Sequence, residues 1–114
     1  MAARLRLDIN QGETFRKPFV WKSGGVPVNL TGYTARMQIR SDVDSPTIIT
    51  SLTTENGGIT VGNTDGAFAL YISAADTALL NFDQGVYDVE LVSASGDVRR
   101  IIQGDVYLSP EVTR

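Results

Sequence analysis

The sequence predicts an all-β fold, an antiparallel sandwich of about eight short strands with one helical turn near residues 74–80. Two patterns indicate it: apolar and polar residues alternate over short runs, and Gly, Asn and Asp turns separate those runs. A third is the spacing Asp83-x-Gly85-x-Tyr87. Immunoglobulin-like sandwiches use that spacing for a tyrosine corner, in which the hydroxyl bonds to upstream backbone. We therefore predict one immunoglobulin-like domain over residues 1–114.

Composition narrows the function classes. The 114 residues are 42% hydrophobic and 20% charged, which is typical of a globular domain. Cys and His are both absent, so the chain lacks thiolate chemistry, the commonest general base and the commonest metal ligand. We expect no enzyme activity, no cofactor, no metal site and no small-molecule ligand. The net charge of -3 argues against a nucleic-acid partner, and no apolar run suits a membrane span or signal peptide.

The first two predicted strands occupy residues 4–10 and 14–22. Strict alternation over residues 4–10 indicates a half-buried strand. In the second strand, Pro18 has no amide proton for a ladder, so this strand is expected at a sheet edge or with a bulge. Trp21, at its end, is expected to be a large filler of the core.

Residues 33–40 show the cleanest alternation. Tyr33, Ala35, Met37 and Ile39 are expected to point inward. That leaves Thr34, Arg36, Gln38 and Arg40 on the outer face. A solvated sheet face is the plain interpretation of that stripe. A partner-facing surface is the alternative, because Arg is enriched at interfaces.

The middle of the chain predicts a strand over residues 46–53 and a hairpin formed by residues 59–61 and 67–72. The acidic loop over residues 42–46 superficially resembles the start of a calcium loop. It lacks the third acid, the turn glycine and the closing Glu, so no metal is expected there.

The predicted corner follows a helical turn that begins at Ser73, a residue able to cap free amide groups. We interpret Asp83, Gly85 and Tyr87 as a structural corner. Asp83 and Tyr87 are expected to form a polar pair that stabilises the sandwich. Residues 98–108 are the expected return strand, in which Gly104 indicates a bulge or a close backbone approach.

Short motifs in a fixed order run through nearly the whole chain. They are Ile9-x-Gln11-Gly12-x-x-Phe15, Gly25-x-Pro27-Val28-x-Leu30-Thr31-Gly32-Tyr33-Thr34-Ala35-Arg36-Met37-Gln38-Ile39-Arg40, Gly57-Gly58-Ile59, Gly85-Val86-Tyr87-Asp88-Val89-Glu90-Leu91, Gly104-x-Val106 and Pro110-Glu111-Val112-Thr113-Arg114. Together they resemble the β-sandwich domain of tail collar and baseplate proteins of long-tailed phages, including the N-terminal modules of baseplate upper proteins.

The resemblance implies a virion structural subunit, assembled in the host cytoplasm into a homo-oligomeric ring or array of the tail or baseplate. Its expected partners are other phage structural proteins, and it brings no catalytic residues. Ring subunits meet through two unlike surfaces. The candidates are the edge at Pro18, the face with Arg36, Gln38 and Arg40, and the extended tail 109–114. The tail residues chosen are Pro110, Glu111, Val112 and Arg114.

Alternatives stay open at this point. The tail fits a frayed terminus equally well. The chain also suits a carbohydrate- or receptor-binding adhesin module, with an exposed aromatic drawn from Tyr33, Tyr71, Tyr107 or Trp21. A head decoration or head–tail joining subunit is a further structural alternative.

Overall fold

The computed structural model describes residues 2–113, which form eleven strands and one short helix. Eight of those strands have three or more residues, which matches the number predicted. In chain order the elements are β1 Ala3–Arg4, β2 Leu7–Asn10, β3 Phe15–Val20, β4 Lys22–Ser23, β5 Val26–Pro27, β6 Thr34–Arg40, β7 Thr50–Thr53, β8 Ile59–Val61, β9 Ala67–Ile72, α1 Ala74–Ala78, β10 Gln84–Val92 and β11 Val98–Ser109.

Two sheets form the sandwich. Sheet A has the order β1-β11-β10-β6-β7, with β2 also on β11, and sheet B has the order β3-β9-β8. Pairing is antiparallel except that β1 and β2 run parallel to β11. Alternate residues of both sheets meet in one core, as the period-two pattern predicts. Its members are Leu7, Ile9, Leu30, Ala35, Met37, Ile39, Leu52, Ile59, Phe68, Leu70, Ile72, Leu80, Tyr87, Val89, Leu91, Ile101, Ile102, Val106 and Leu108.

The first predicted strand is interrupted. Residues 4–10 form two short strands, β1 and β2, with Leu5 and Arg6 between them. The Leu5 amide still donates to the Gln103 carbonyl at 3.0 Å. The Leu5 carbonyl accepts a hydrogen bond from the Tyr87 hydroxyl at 2.7 Å. The interruption therefore places a backbone acceptor where an inward-facing tyrosine reaches it.

This contact, the Tyr87–Leu5 contact, changes the interpretation of the predicted corner. Tyr87 bonds to upstream backbone as expected, but the acceptor lies 82 residues earlier rather than at the nearby corner. Burial of the ring raises the pKa of Tyr87 to about 12. Asp83 acts separately: its side chain is exposed, and its carbonyl accepts the Leu108 amide at 3.0 Å. Asp83 and Tyr87 are thus not a bonded pair.

Gly104 makes the Tyr87–Leu5 contact possible. It pairs with Tyr87 across β10 and β11, and a methyl group at residue 104 would overlap the Leu5 carbonyl oxygen. Of the two readings of this glycine, close backbone approach is the one observed. The irregularity of β11 lies elsewhere: Val89 pairs with Ile102 and Glu90 with Arg100, which leaves Ile101 as the extra residue.

The helical turn carries the chain from sheet B to sheet A. The Ser73 hydroxyl accepts the Asp76 amide at 3.1 Å, so the predicted cap is present. Helix α1 ends at Ala78, slightly before the predicted limit. Leu80 is buried after it, whereas Leu79 is 81% exposed.

Two expectations about the core and the strands are confirmed only in part. The strand predicted over 46–53 is confined to Thr50–Thr53, although the Ile49 amide still donates to the Ile39 carbonyl at 2.7 Å. Residues 42–47 form local turns, because the Asp42 carboxylate accepts the Asp44 amide and the Ser45 hydroxyl accepts the Thr47 amide. Trp21 is half-buried at the margin of the core, edge-on to Tyr33 with ring centroids 6.4 Å apart.

Candidate protein-contact surfaces

The outer face of β6 carries the predicted polar stripe, and each side chain is held in place. Arg36 pairs with Glu90 of β10, with Nε and Oε1 2.8 Å apart. Arg40 donates to the Gln38 side-chain oxygen at 2.8 Å and to the Ser45 carbonyl at 2.7 Å. Side chains fixed before contact lose less entropy on binding. The stripe is therefore a pre-ordered polar surface.

Asp88 is the central acid of the same face. It lies between Gln38 and Gln103 in neighbouring strands and has an ion pair with Arg100, whose Nε is 3.4 Å from Oδ2. Burial, with the nearby Glu90 charge, raises the pKa of Asp88, although Arg100 opposes that shift. A depression of about 280 Å³ surrounds it. Both acidic and basic side chains line this depression, which suits a polar contact with another protein.

Pro18 lies on β3, which is an edge strand of sheet B as predicted. The Trp21 amide donates toward sheet B, to the Gly66 carbonyl at 2.8 Å. Because backbone groups alternate along a strand, Pro18 has its nitrogen on the open side. The proline thus removes a donor from the exposed edge, a common way to prevent unwanted strand pairing.

The outer face of sheet B carries a patch of small apolar residues. Pro18, Val20, Ala67 and Ala69 line a shallow depression of about 520 Å³. The Arg16 guanidinium covers the neighbouring Tyr71 ring, 4.7 Å from its centroid. This face lacks the fixed ion pairs of sheet A.

The open edge of β7 is closed by a side chain that sequence reasoning treated only as a turn residue. The Asn56 amide nitrogen donates to the Ser51 carbonyl at 3.0 Å, and its oxygen accepts the Thr53 amide at 2.9 Å. Asn56 therefore substitutes for one peptide group of a neighbouring strand. The Asn-Gly-Gly sequence was the available signal, but it marks a turn without showing what the amide bonds.

The predicted free tail is partly attached. Ser109 still belongs to β11 and pairs with Asn10. The Glu111 amide donates to the Gln11 side-chain oxygen at 2.8 Å. Pro110 is exposed, and Val112 is 93% exposed. Arg114 lies outside the described residues. The tail is thus an anchored segment up to Glu111, with Val112 available at the surface.

Gln11 belongs to a polar cluster at this end of the sandwich, the Gln11 cluster. Its amide nitrogen donates to the Leu80 carbonyl at 2.9 Å. The buried Thr77 hydroxyl accepts the Gly12 amide at 3.0 Å and donates to the Glu13 carbonyl at 2.9 Å. The cluster joins the β2–β3 turn, the helix and the tail. Sequence reasoning missed it because its members are far apart in the chain.

The tyrosine and tryptophan rings considered for ligand stacking already have partners. The Arg6 guanidinium lies 3.7 Å from the centroid of Tyr107, and Arg16 covers Tyr71. Trp21 and Tyr33 contact each other. Among residues 2–113, no group of three or more acidic side chains is arranged to hold a metal ion. No helix in this part of the chain has the length and hydropathy to cross a membrane.

The sandwich is open between β1 and β3. Leu5, Phe19, Trp21 and Ile102 line a cleft of about 430 Å³ there. Arg4 and Lys22 also line it, and both are exposed. This cleft is apolar at its floor and cationic at its rim.

The fold class of the chain is an immunoglobulin-like β-sandwich. Among solved structures, it is similar to a crystal structure of a chicken TCR, with a TM-score of 0.58 and 12% sequence identity. The match covers 98% of this chain and 56% of the TCR chain, so this chain spans little more than half of that protein. At this identity the likeness establishes the fold alone. No protein-family model and no curated protein matches the sequence.

Proposed function

We propose that this chain is a structural subunit of a phage tail or baseplate, acting through protein–protein contacts in a symmetric assembly. The observation that carries the proposal is the order of sequence motifs from Ile9 to Arg114, which resembles tail collar and baseplate domains. In the fold, these motifs form turns and core strands, including the Gln11 cluster and the Tyr87–Leu5 contact. They maintain a scaffold, and the scaffold presents its surfaces to partners.

The surfaces support a role in packing. The outer face of sheet A carries pre-ordered polar side chains, and the outer face of sheet B carries small apolar ones. Such unlike faces suit a subunit that contacts more than one neighbour. In this proposal the chain lies within the virion, is assembled in the host cytoplasm, and joins tail components or fibres without catalysis.

Mass spectrometry of purified virions tests the proposal. We expect the chain in stoichiometric amounts in virions purified at physiological salt. Its absence from virions would refute the proposal. Labelled particles imaged by electron microscopy then locate it: label at the tail or baseplate supports the proposal, whereas label on the head contradicts the tail assignment and indicates a head decoration or head–tail joining subunit.

A glycan array separates packing from adhesion. We expect flat binding curves, because the candidate aromatic rings contact Arg side chains or each other. Saturable binding lost in Tyr71→Ala would instead identify an adhesin module. Tyr33→Ala provides a control for general loss of an aromatic residue, since Tyr33 contacts Trp21 at the margin of the core.

A further inference from the structure

Charge is distributed very unevenly along the chain. Of the ten Lys and Arg residues, seven lie in residues 1–40 and none in residues 41–83. The cation-free segment carries six acids. They are Asp42, Asp44, Glu55, Asp65, Asp76 and Asp83.

The fold separates these segments laterally. β1 and β3 lie together at one side, where residues of both strands line the apolar cleft. β7 is the opposite edge of sheet A and β8 the opposite edge of sheet B. Residues of β7, the 56–58 turn and α1 share a second groove of about 500 Å³.

We call the first of these the basic side. Arg4 and Lys22, both exposed at the rim of the cleft, belong to it. Arg16 and Lys17 are also on β3, but they line a different depression, together with Gly57 and Tyr71 on sheet B.

Arg6 is also on the basic side, but it is paired with Asp8 at 2.9 Å. Asp105 of β11 is close enough to act on Arg6 electrostatically and lines the same depression as Arg4. Glu13 accepts a hydrogen bond from Asn10 at the end of β2. The excess positive charge beside the cleft is therefore carried by Arg4 and Lys22.

The opposite side, which we call the acidic side, is formed by β7, α1 and the adjoining loops. Its exposed acids are Asp42, Asp44, Glu55 and Asp76. Arg36 and Arg40 lie on the outer face of sheet A, where they are bonded to Glu90 and to Gln38 and Ser45, respectively. Arg16 covers the ring of Tyr71, which lines the groove of the acidic side.

Both sides also offer apolar surface. On the basic side, Arg4 and Lys22 flank a cleft whose floor includes Phe19 and Trp21. On the acidic side, Leu79 is 81% exposed and Ile48 is 43% exposed. Exposed apolar groups beside charges of one sign are typical of contact surfaces.

The backbone edges at the two sides are unsuited to strand pairing. Pro18 removes a donor from β3, and Asn56 bonds the open groups of β7. A contact between these sides would therefore be made by side chains rather than by a continuous sheet.

We propose that copies of this chain associate side to side, with the basic side of one copy on the acidic side of the next. Two basic sides would repel each other, so the contact is head to tail and closes a ring or extends a row. The setting of this contact, a symmetric virion assembly, rests on the proposed function. The contact itself is argued from charge and apolar surface.

Charge reversal on each side tests the proposal. Arg4→Glu with Lys22→Glu reverses both exposed cations at the rim of the cleft, so that both sides are acidic. Asp44→Lys, Glu55→Lys and Asp76→Lys together leave Asp42 as the remaining exposed acid of the acidic side, so that both sides are basic. None of these five side chains forms an ion pair in the described part of the chain. Asp97→Lys, in the β10–β11 turn, is a control for added positive charge.

Sedimentation velocity over a range of protein concentration and salt gives the readout. We expect the wild-type chain to self-associate at low salt and to dissociate as salt screens the charges. Either variant alone should show a dissociation constant raised about 100-fold or more. Mixing the two variants should restore association, since the first retains the acidic side and the second retains the basic side.

The variant carrying all five reversals provides a check against misfolding. Both of its sides have changed sign, so it should again self-associate, and recovery of this kind is not expected from structural damage. A wild-type chain that stays monomeric, or variants that do not associate when mixed, would overturn the inference. Virion mass spectrometry is independent of this result, so failure of the contact and failure of the proposed function are distinguishable.

Discussion

Two polar arrangements hold this sandwich together in different ways. The Tyr87–Leu5 contact is a single part-buried hydrogen bond that reaches from β10 across β11 to the chain beside β1, and it depends on the absence of a side chain at Gly104. The Gln11 cluster is spread over several hydrogen bonds at one end of the molecule. A single bond in a tightly packed place tolerates little change, whereas a distributed cluster contains both buried and partly exposed members. Substitutions in each arrangement test this difference.

The largest effect is expected for Gly104→Ala. The new methyl group would overlap the Leu5 carbonyl oxygen, which is backbone and must move with its whole strand. We expect unfolding to become easier by about 3 kcal/mol or more. Urea denaturation measures it, with Gly24→Ala as a control for loss of glycine, since residue 24 has open space around it. Residue 24 has a φ of 58°, so a moderate cost is expected there as well. Equal losses in the two variants would contradict the role assigned to Gly104.

Thr77→Val tests the buried member of the Gln11 cluster. The substitution keeps the shape of a fully buried side chain but removes the hydroxyl that serves the Gly12 amide and the Glu13 carbonyl. Two backbone groups lose a partner, so we expect a loss of about 2 kcal/mol. Thermal unfolding monitored by circular dichroism is the measurement. Thr77→Ser, which retains the hydroxyl, should lose less, and the opposite ranking would exclude the hydrogen-bond explanation.

Tyr87→Phe removes only the hydroxyl of the Tyr87–Leu5 contact. We expect a loss of about 1 kcal/mol, because the Leu5 carbonyl loses its tyrosine donor while the ring remains packed. Chemical denaturation at neutral pH measures it. Tyr33→Phe is the matched control, since the Tyr33 hydroxyl forms no such backbone contact in the described residues. Unchanged stability would remove this contact from the account of the fold.

The same tyrosine predicts a dependence on alkaline pH. Its pKa is raised to about 12 in the folded chain from 10.0 in a model peptide. The folded state thus holds the proton more tightly than the unfolded state. The resulting stabilisation is complete below pH 10 and is lost as pH rises toward 12. Tyr87→Phe should flatten that part of the stability curve, and a curve identical to wild type would argue against this titration.

The smallest effect is expected for Gln11→Ala. Gln11 is half-buried, so water can replace part of what its amide provides to Leu80 and Glu111. We expect a loss of stability of about 0.5–1 kcal/mol. Hydrogen exchange should show faster opening of the Glu111 amide, with the β10 amides unaffected. Loss of protection throughout β10 would show that the cluster supports the whole sandwich rather than its end.

The period-two pattern made much of the fold predictable. Met37 and Val89 are buried and Arg36 is exposed, as alternation requires, because a strand points successive side chains to opposite faces. The sequence also predicted the Ser73 cap and the edge position of β3. Both follow from local hydrogen-bonding groups: the Ser73 hydroxyl can accept an amide proton, and Pro18 has none to donate. The resemblance to phage tail proteins stays a prediction.

The tertiary structure decided which residues, far apart in sequence, become hydrogen-bond partners. Tyr87 was recognisable as a buried polar residue, but only the fold brings the Leu5 carbonyl to its hydroxyl. The sequence left two explanations for Gly104 open, and only the fold shows the close approach of the Leu5 backbone. Asn56 was recognisable as a turn residue, but only the fold shows that its side-chain amide bonds to the open backbone edge of β7. The sequence by itself determined which residues face inward, because that depends on local periodicity. The bonds that hold the elements to one another, and the opposite charge of the two sides, depend on which strands become neighbours.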